Sequence, residues 1–122
     1  MINEDNYIQY INILHSLNDG WNGYDAECPN DFSVTTAQQL VPLLLKHELN
    51  PIAIKASADG GIAILFIGAG IKRAFIEILN TREIYTVLYD LEGRNFTILW
   101  PENYIMEIKN LADQLITFLF NT

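Results

Sequence analysis

The chain has 122 residues, half of them hydrophobic, which fits one compact α+β domain over 1–122 and excludes both disorder and a second domain of ordinary size. Fifteen acidic against seven basic residues give a net charge of -8. Such a field repels nucleic acid and anionic membranes and attracts a basic protein. No apolar run is long enough to cross a bilayer, and the start, Met1-Ile2-Asn3-Glu4-Asp5-Asn6, lacks the basic-then-apolar order of a secretion signal. Cys28 is the only cysteine, so an internal disulfide and a four-cysteine zinc site are excluded, and a cytoplasmic location is expected.

In chain order, apolar residues at 7, 8, 11, 14 and 17 predict one helix face over Tyr7–Leu17, stopped by Asn18-Asp19-Gly20. Gly20 to Phe32 reads GWNGYDAECPNDF, which is too rich in glycine, asparagine and aspartate for regular structure. Its aromatics, Trp21, Tyr24 and Phe32, predict an ordered loop pinned to the core. Ser33–Leu49 carries a second helical stripe at 37, 40, 41, 44 and 45, with Ser33 as the expected N-cap. Pro42 predicts a kink or an early end, because its ring clashes with the carbonyl of Gln38.

Next come Pro51–Ser57, Ile62–Ile67, Ile71–Leu79, Glu83–Tyr89 and the short Phe96–Trp100, separated by turn sequences at Asp59-Gly60-Gly61, Gly68-Ala69-Gly70, Asn80-Thr81-Arg82 and around Gly93. Short turns favour antiparallel pairing. Ile62–Ile67 is apolar throughout, so it reads as central. Ile71–Leu79 is mixed on both sides, and its facing is left open. Asn103–Phe120 predicts a strongly striped last helix. The expected architecture is a four- or five-stranded antiparallel sheet with two N-terminal helices and one C-terminal helix on one face. The other face would be wet or an interface.

Chemistry-bearing patterns are sparse. His15 and His47 lie in different helices without metal spacing. Cys28 stands beside Glu27, and a neighbouring carboxylate raises a thiol pKa instead of activating it. The local cluster of Asp19, Asp25, Glu27 and Asp31 has neither the EF-hand spacing nor any sign of carboxylates placed across a cleft. The glycines match neither phosphate-loop pattern. Basic residues are scattered and show no RNA-binding signature. No cofactor, metal or catalytic set is expected, and the chain reads as a non-enzyme.

A partner interface fits better. Trp21 and Tyr24 among glycines, with Asp19, Asp25, Glu27 and Asp31 around them, form an aromatic anchor with an acidic rim, suited to a basic protein surface. The alternative is that both aromatics are core pins. A further alternative is a structural subunit that forms a homodimer through an open sheet edge or Leu115–Phe120.

Leu17-Asn18-Asp19-Gly20-Trp21-Asn22-Gly23-Tyr24-Asp25-Ala26, followed by Pro29, resembles the GWDGYxA…P signature of small bacterial proteins found on phages and plasmids or near toxin–antitoxin and defence genes. The signature is followed there by a helix and a P…DGG hairpin, matched in order here by Ser33–Leu49, Pro51, Asp59, Gly60 and Gly61, so the resemblance covers roughly residues 14 to 80. This chain departs at Asn22, where the pattern has Asp, and at Ile62-Ala63-Ile64-Leu65-Phe66, where the pattern has an acidic, Trp-containing strand. The resemblance implies a mobile-element protein. It would be anti-CRISPR-like or antitoxin-like, inhibiting a nucleic-acid-handling defence complex or neutralising a toxin.

Overall fold

The computed structural model describes residues 4–21, 23, 26–70 and 72–120. Its elements are α1 (Glu4–His15), α2 (Asp31–Lys46), β1 (Ala53–Ser57), β2 (Gly61–Ile67), β3 (Arg73–Leu79), β4 (Ile84–Tyr89), β5 (Asn95–Leu99) and α3 (Ile108–Phe120). The five strands form an antiparallel meander in the order β1-β2-β3-β4-β5. The α+β expectation holds, with the fifth strand present.

Alternation along the strands sorts the sheet into two faces. Ile54, Ile62, Ile64, Phe66, Ala74, Ile76, Ile78, Ile84 and Leu88 point to one side and are buried. They pack with Tyr7, Ile11 and Leu14 of α1, with Ala37, Leu40, Val41 and Leu44 of α2, and with Ile108, Leu111, Leu115 and Leu119 of α3. Each fully buried Leu or Ile contributes about 1.5–3 kcal/mol relative to exposure, so this layer holds the fold together. Trp100, just past β5, turns into the same layer, and its indole N–H donates to Thr86 Oγ1 at 2.6 Å.

The opposite face carries Lys55, Ala63, Leu65, Ile67, Arg73, Phe75, Glu77, Tyr85, Val87, Tyr89, Thr97 and Leu99, by the same register. None of these belongs to the core cluster. The mixed facing of β3 is thereby resolved: Ala74, Ile76 and Ile78 face the helices, while Arg73, Phe75, Glu77 and Leu79 face away.

Boundaries differ from expectation at every helix and by a residue or two at several strands; α1 runs Glu4–His15, starting and ending before the expected Tyr7–Leu17. The N-cap of α2 is Asn30, whose side chain accepts from the Ser33 amide at 3.0 Å. Ser33 lies inside the first turn, and its hydroxyl donates to the Asn30 carbonyl at 3.1 Å. The helix continues through Pro42 to Lys46. Residues 102–107 form successive turns with amides bonded three residues back, as from Met106 to Asn103, and α3 starts only at Ile108. Its end is anchored where the Ala69 amide donates to the Leu119 carbonyl at 2.7 Å.

Candidate protein-binding surface

The segment between α1 and α2 closes on itself through short polar bonds. The Gly20 amide donates to the Ala26 carbonyl at 2.7 Å, and Gly20 sits at φ 77°, a conformation that suits glycine. Asp19 Oδ1 accepts from the Cys28 amide at 3.1 Å. That backbone bond, followed by a side-chain bond from Cys28, holds the Asp19 carboxyl below its ordinary value. Trp21 is half-buried, and its indole N–H donates to the Glu27 carbonyl at 3.2 Å.

The expectation that aromatics pin this loop to the core is corrected for Trp21. Its ring belongs to neither the core cluster nor the side chains packed against it. The aromatic that packs on the core is Phe32, while Ala26 and Pro29 are buried beneath the loop. Trp21 braces the loop from within because its one polar atom finds a backbone carbonyl six residues ahead. Tyr24 and Asp25 lie outside the described residues.

Asn80, in the β3–β4 turn, ties the loop to the sheet. Its amide nitrogen donates to the Cys28 carbonyl at 2.9 Å. Its oxygen accepts from the Asn30 amide at 2.9 Å and lies 3.0 Å from Ser33 Oγ, whose single proton it shares with the Asn30 carbonyl. Asn30 Nδ2 returns a bond to the Asn80 carbonyl at 3.1 Å, and the Asn80 amide donates to Gly60 at 2.9 Å. One turn therefore locks together the loop, the N-terminus of α2 and the β1–β2 turn. A methyl group built on Gly60 would lie 3.6 Å from Glu27 Cβ, so the DGG turn and the GWNGY loop are neighbours in space.

The result is an acidic end of the molecule. Exposed Asp19, Glu27, Asp31, Asp59 and Glu83 gather around these joined segments. Arg82 lies among them, and its guanidinium is 5.1 Å over the Phe32 ring. Lys72 and Arg73 sit at the other end of the strands. Of the residues singled out from sequence, Asp19, Trp21 and Glu27 come together in the loop. Asp31 is turned toward α1, where His15 Nε2 stands 2.9 Å from its carboxylate on the surface. Asp59 and Asn80 were read only as turn residues and Glu83 as the start of a strand; the bond that ties Asn80 to Asn30 spans 50 positions and leaves no local pattern.

Burial first, then the hydrogen bond with Asp19 and the nearby charges of Asp19 and Glu27, push the Cys28 thiol up, which keeps it protonated. Among the described residues, no three His, Cys, Asp or Glu side chains are placed to hold a metal ion. None of their helices is long and apolar enough to cross a membrane. In comparisons with known proteins, the chain matches no family model, no curated protein and no solved structure.

Proposed function

We propose that this chain is a non-catalytic binding protein whose acidic end docks on a basic protein surface. The observation that carries the reading is the gathering of Asp19, Glu27, Asp59 and Glu83 around one hydrogen-bonded frame, with Asp31 at its edge facing His15 and with Arg82 as a basic neighbour. A frame already ordered before binding loses less entropy on docking, so its carboxylates act at little cost. Carboxylates at an exposed rim speed encounter and select partners more than they add affinity. Half-buried Trp21 offers the apolar contact that such a rim surrounds.

The partner class follows from the resemblance of the GWNGYDA…P…DGG order to mobile-element proteins. The basic surface then belongs to a cytoplasmic nuclease, a nucleic-acid-handling defence complex or a toxin. Blocking a surface built for phosphate needs carboxylates in its place, and this end supplies them. Affinity capture from host lysate, with mass spectrometry, tests the reading. A basic protein should be retained at low salt and released at high salt. The triple variant Glu27→Lys, Asp31→Lys, Asp59→Lys should lose it, and Trp21→Ala should weaken it. Equal retention by the triple variant would refute the assignment of this end.

A further inference from the structure

The face of the sheet turned away from the helices has a pattern of its own. Strand pairing arranges its side chains in three long rows across the strands, with Ser57, Gly61 and Leu79 as a short fourth row at the acidic end. The middle row reads Ala53, Leu65, Phe75, Val87, Thr97. On the side of the acidic end lies the row Lys55, Ala63, Glu77, Tyr85, Leu99. On the other side lies the row Ile67, Arg73, Tyr89, Asn95. Apolar and aromatic side chains dominate, and Ile67 and Leu99 are 49% and 66% exposed. An antiparallel sheet with one solvated face normally shows polar residues there.

Glu77 stands near the centre of this face. One of its carboxylate oxygens is buried and, among the described residues, has no hydrogen-bond partner. Burial raises its pKa, with Asp59 adding to the rise and a hydrogen bond from Ser57 opposing it. Arg73 lies four residues away on the same strand, exposed, with its guanidinium 5.6 Å from the Tyr89 ring. At about 3.4 Å per residue their backbones are about 14 Å apart, and no ion pair joins them among the described residues.

We propose that this face pairs two copies of the chain about a two-fold axis running across the strands along the Phe75 row, with Glu77 of each copy opposite Arg73 of the other. The register dictates the match. Residues 73 and 77 are equally spaced on either side of Phe75, so rotation about that row exchanges the two outer rows. Phe75 then meets its own copy, Tyr85 meets Tyr89 and Ala63 meets Ile67. An axis along the strands would instead set Glu77 against Glu77 and Arg73 against Arg73, which like-charge repulsion disfavours. Aligned sheets cross at about 30°. At the Glu77 lever arm of roughly 7 Å this shifts the pair by about 3–4 Å, within the reach of an arginine side chain.

Five strands about 4.8 Å apart and about 20 Å long give roughly 480 Å² of projected face per copy. Both faces together bury about 1,000 Å² before side-chain relief is counted, the lower end of specific interfaces, so a dimer of micromolar affinity is expected.

Sedimentation equilibrium from about 1 to about 300 μM brackets that range. The wild type should pass from monomer to dimer. Arg73→Glu and Glu77→Arg should each weaken association at least tenfold. An equimolar mixture of the two variants should regain it as a heterodimer, since both cross-pairs are then restored. A wild type that stays monomeric throughout overturns the proposal, as does association indifferent to Arg73→Glu or a mixture that regains nothing. Arg73 is exposed, so Arg73→Glu decides alone if circular dichroism shows that Glu77→Arg does not fold. Thr97→Pro removes an amide on the free edge of β5. Association lost by that change but untouched by Arg73→Glu would place the second copy on the edge and overturn the face-to-face arrangement.

Discussion

Replacing Asn80 with alanine removes two side-chain hydrogen bonds and a shared third: the donor to the Cys28 carbonyl, the acceptor for the Asn30 amide and one of the two acceptors for Ser33 Oγ. A typical bond contributes about 0.5–1.5 kcal/mol net, and an orphaned buried group costs more. The Asn30 amide is at an exposed position and water replaces its partner, which lowers its share. Ser33 is fully buried, but its hydroxyl keeps the Asn30 carbonyl. The expected loss is about 2–3 kcal/mol in urea unfolding, or about 8–12 °C in Tm for a chain of this size. Asn80→Asp keeps the acceptor oxygens and sets a negative charge against the Cys28 carbonyl, so it should destabilise nearly as much. Hydrogen exchange localises the effect: amides of Gly20 and Cys28 should lose protection while those of β2 and β3 keep theirs relative to global stability. A loss under about 0.5 kcal/mol, with unchanged exchange in the loop, would refute the view that Asn80 orders the acidic end.

Gly61→Ala should cost more than about 3 kcal/mol, since a Cβ there would come within 2.1 Å of the Ile78 carbonyl and φ is 136°. Gly93→Ala should cost only about 1–2 kcal/mol, as φ is 81° but the space is open. Trp100→Phe leaves the buried Thr86 hydroxyl without its donor at 2.6 Å, an expected loss of about 1–3 kcal/mol by chemical denaturation. Glu77 has a folded pKa raised above its ordinary 4.5, chiefly by burial. Its contribution to monomer stability is therefore full below 4.5 and lost as pH rises through the folded value. In dilute solution Glu77→Gln should remove that decline, and a variant whose pH profile matches the wild type would refute the assignment.

Most of the sheet was legible because its turns are written in residue types with one conformational use. Gly60 and Gly61 at φ 89° and 136° occupy backbone states that glycine favours, and they mark the first hairpin. The stripes of α1 and α2 were legible because spacing of three and four is a helix face. The start of α3 was not, since Tyr104 and Ile105 continue the helical spacing while the Tyr104 amide and the carbonyls of both residues close turns in which an amide bonds three residues back. Asn30 and Ser33 are both cap-forming types three positions apart, and the bond between them decides which one caps. Trp21 shows the limit at the site. An aromatic among glycines reads the same whether it enters the core or braces its own loop, and only the partner of its N–H separates the two.

The acidic end and the uncovered face share one frame, which makes their relation testable. Rotation about the Phe75 row sends the acidic end of one copy and that of the other in opposite directions. A dimer then offers two identical docking ends facing apart, and its complex with a basic partner should be two-to-two with independent sites. Reversing Arg73 acts at the far end of the strands from Asp59 and Glu83. Arg73→Glu should therefore bind the partner one-to-one with unchanged affinity per site, apart from a long-range charge term that salt screens. Calorimetric titration reads both quantities. Unchanged affinity with halved assembly size is the outcome expected if both readings hold. Loss of partner binding on Arg73→Glu, with binding kept by the Glu27, Asp31 and Asp59 reversals, would move the partner from the acidic end to the sheet face, where Glu77 is the carboxylate short of a donor.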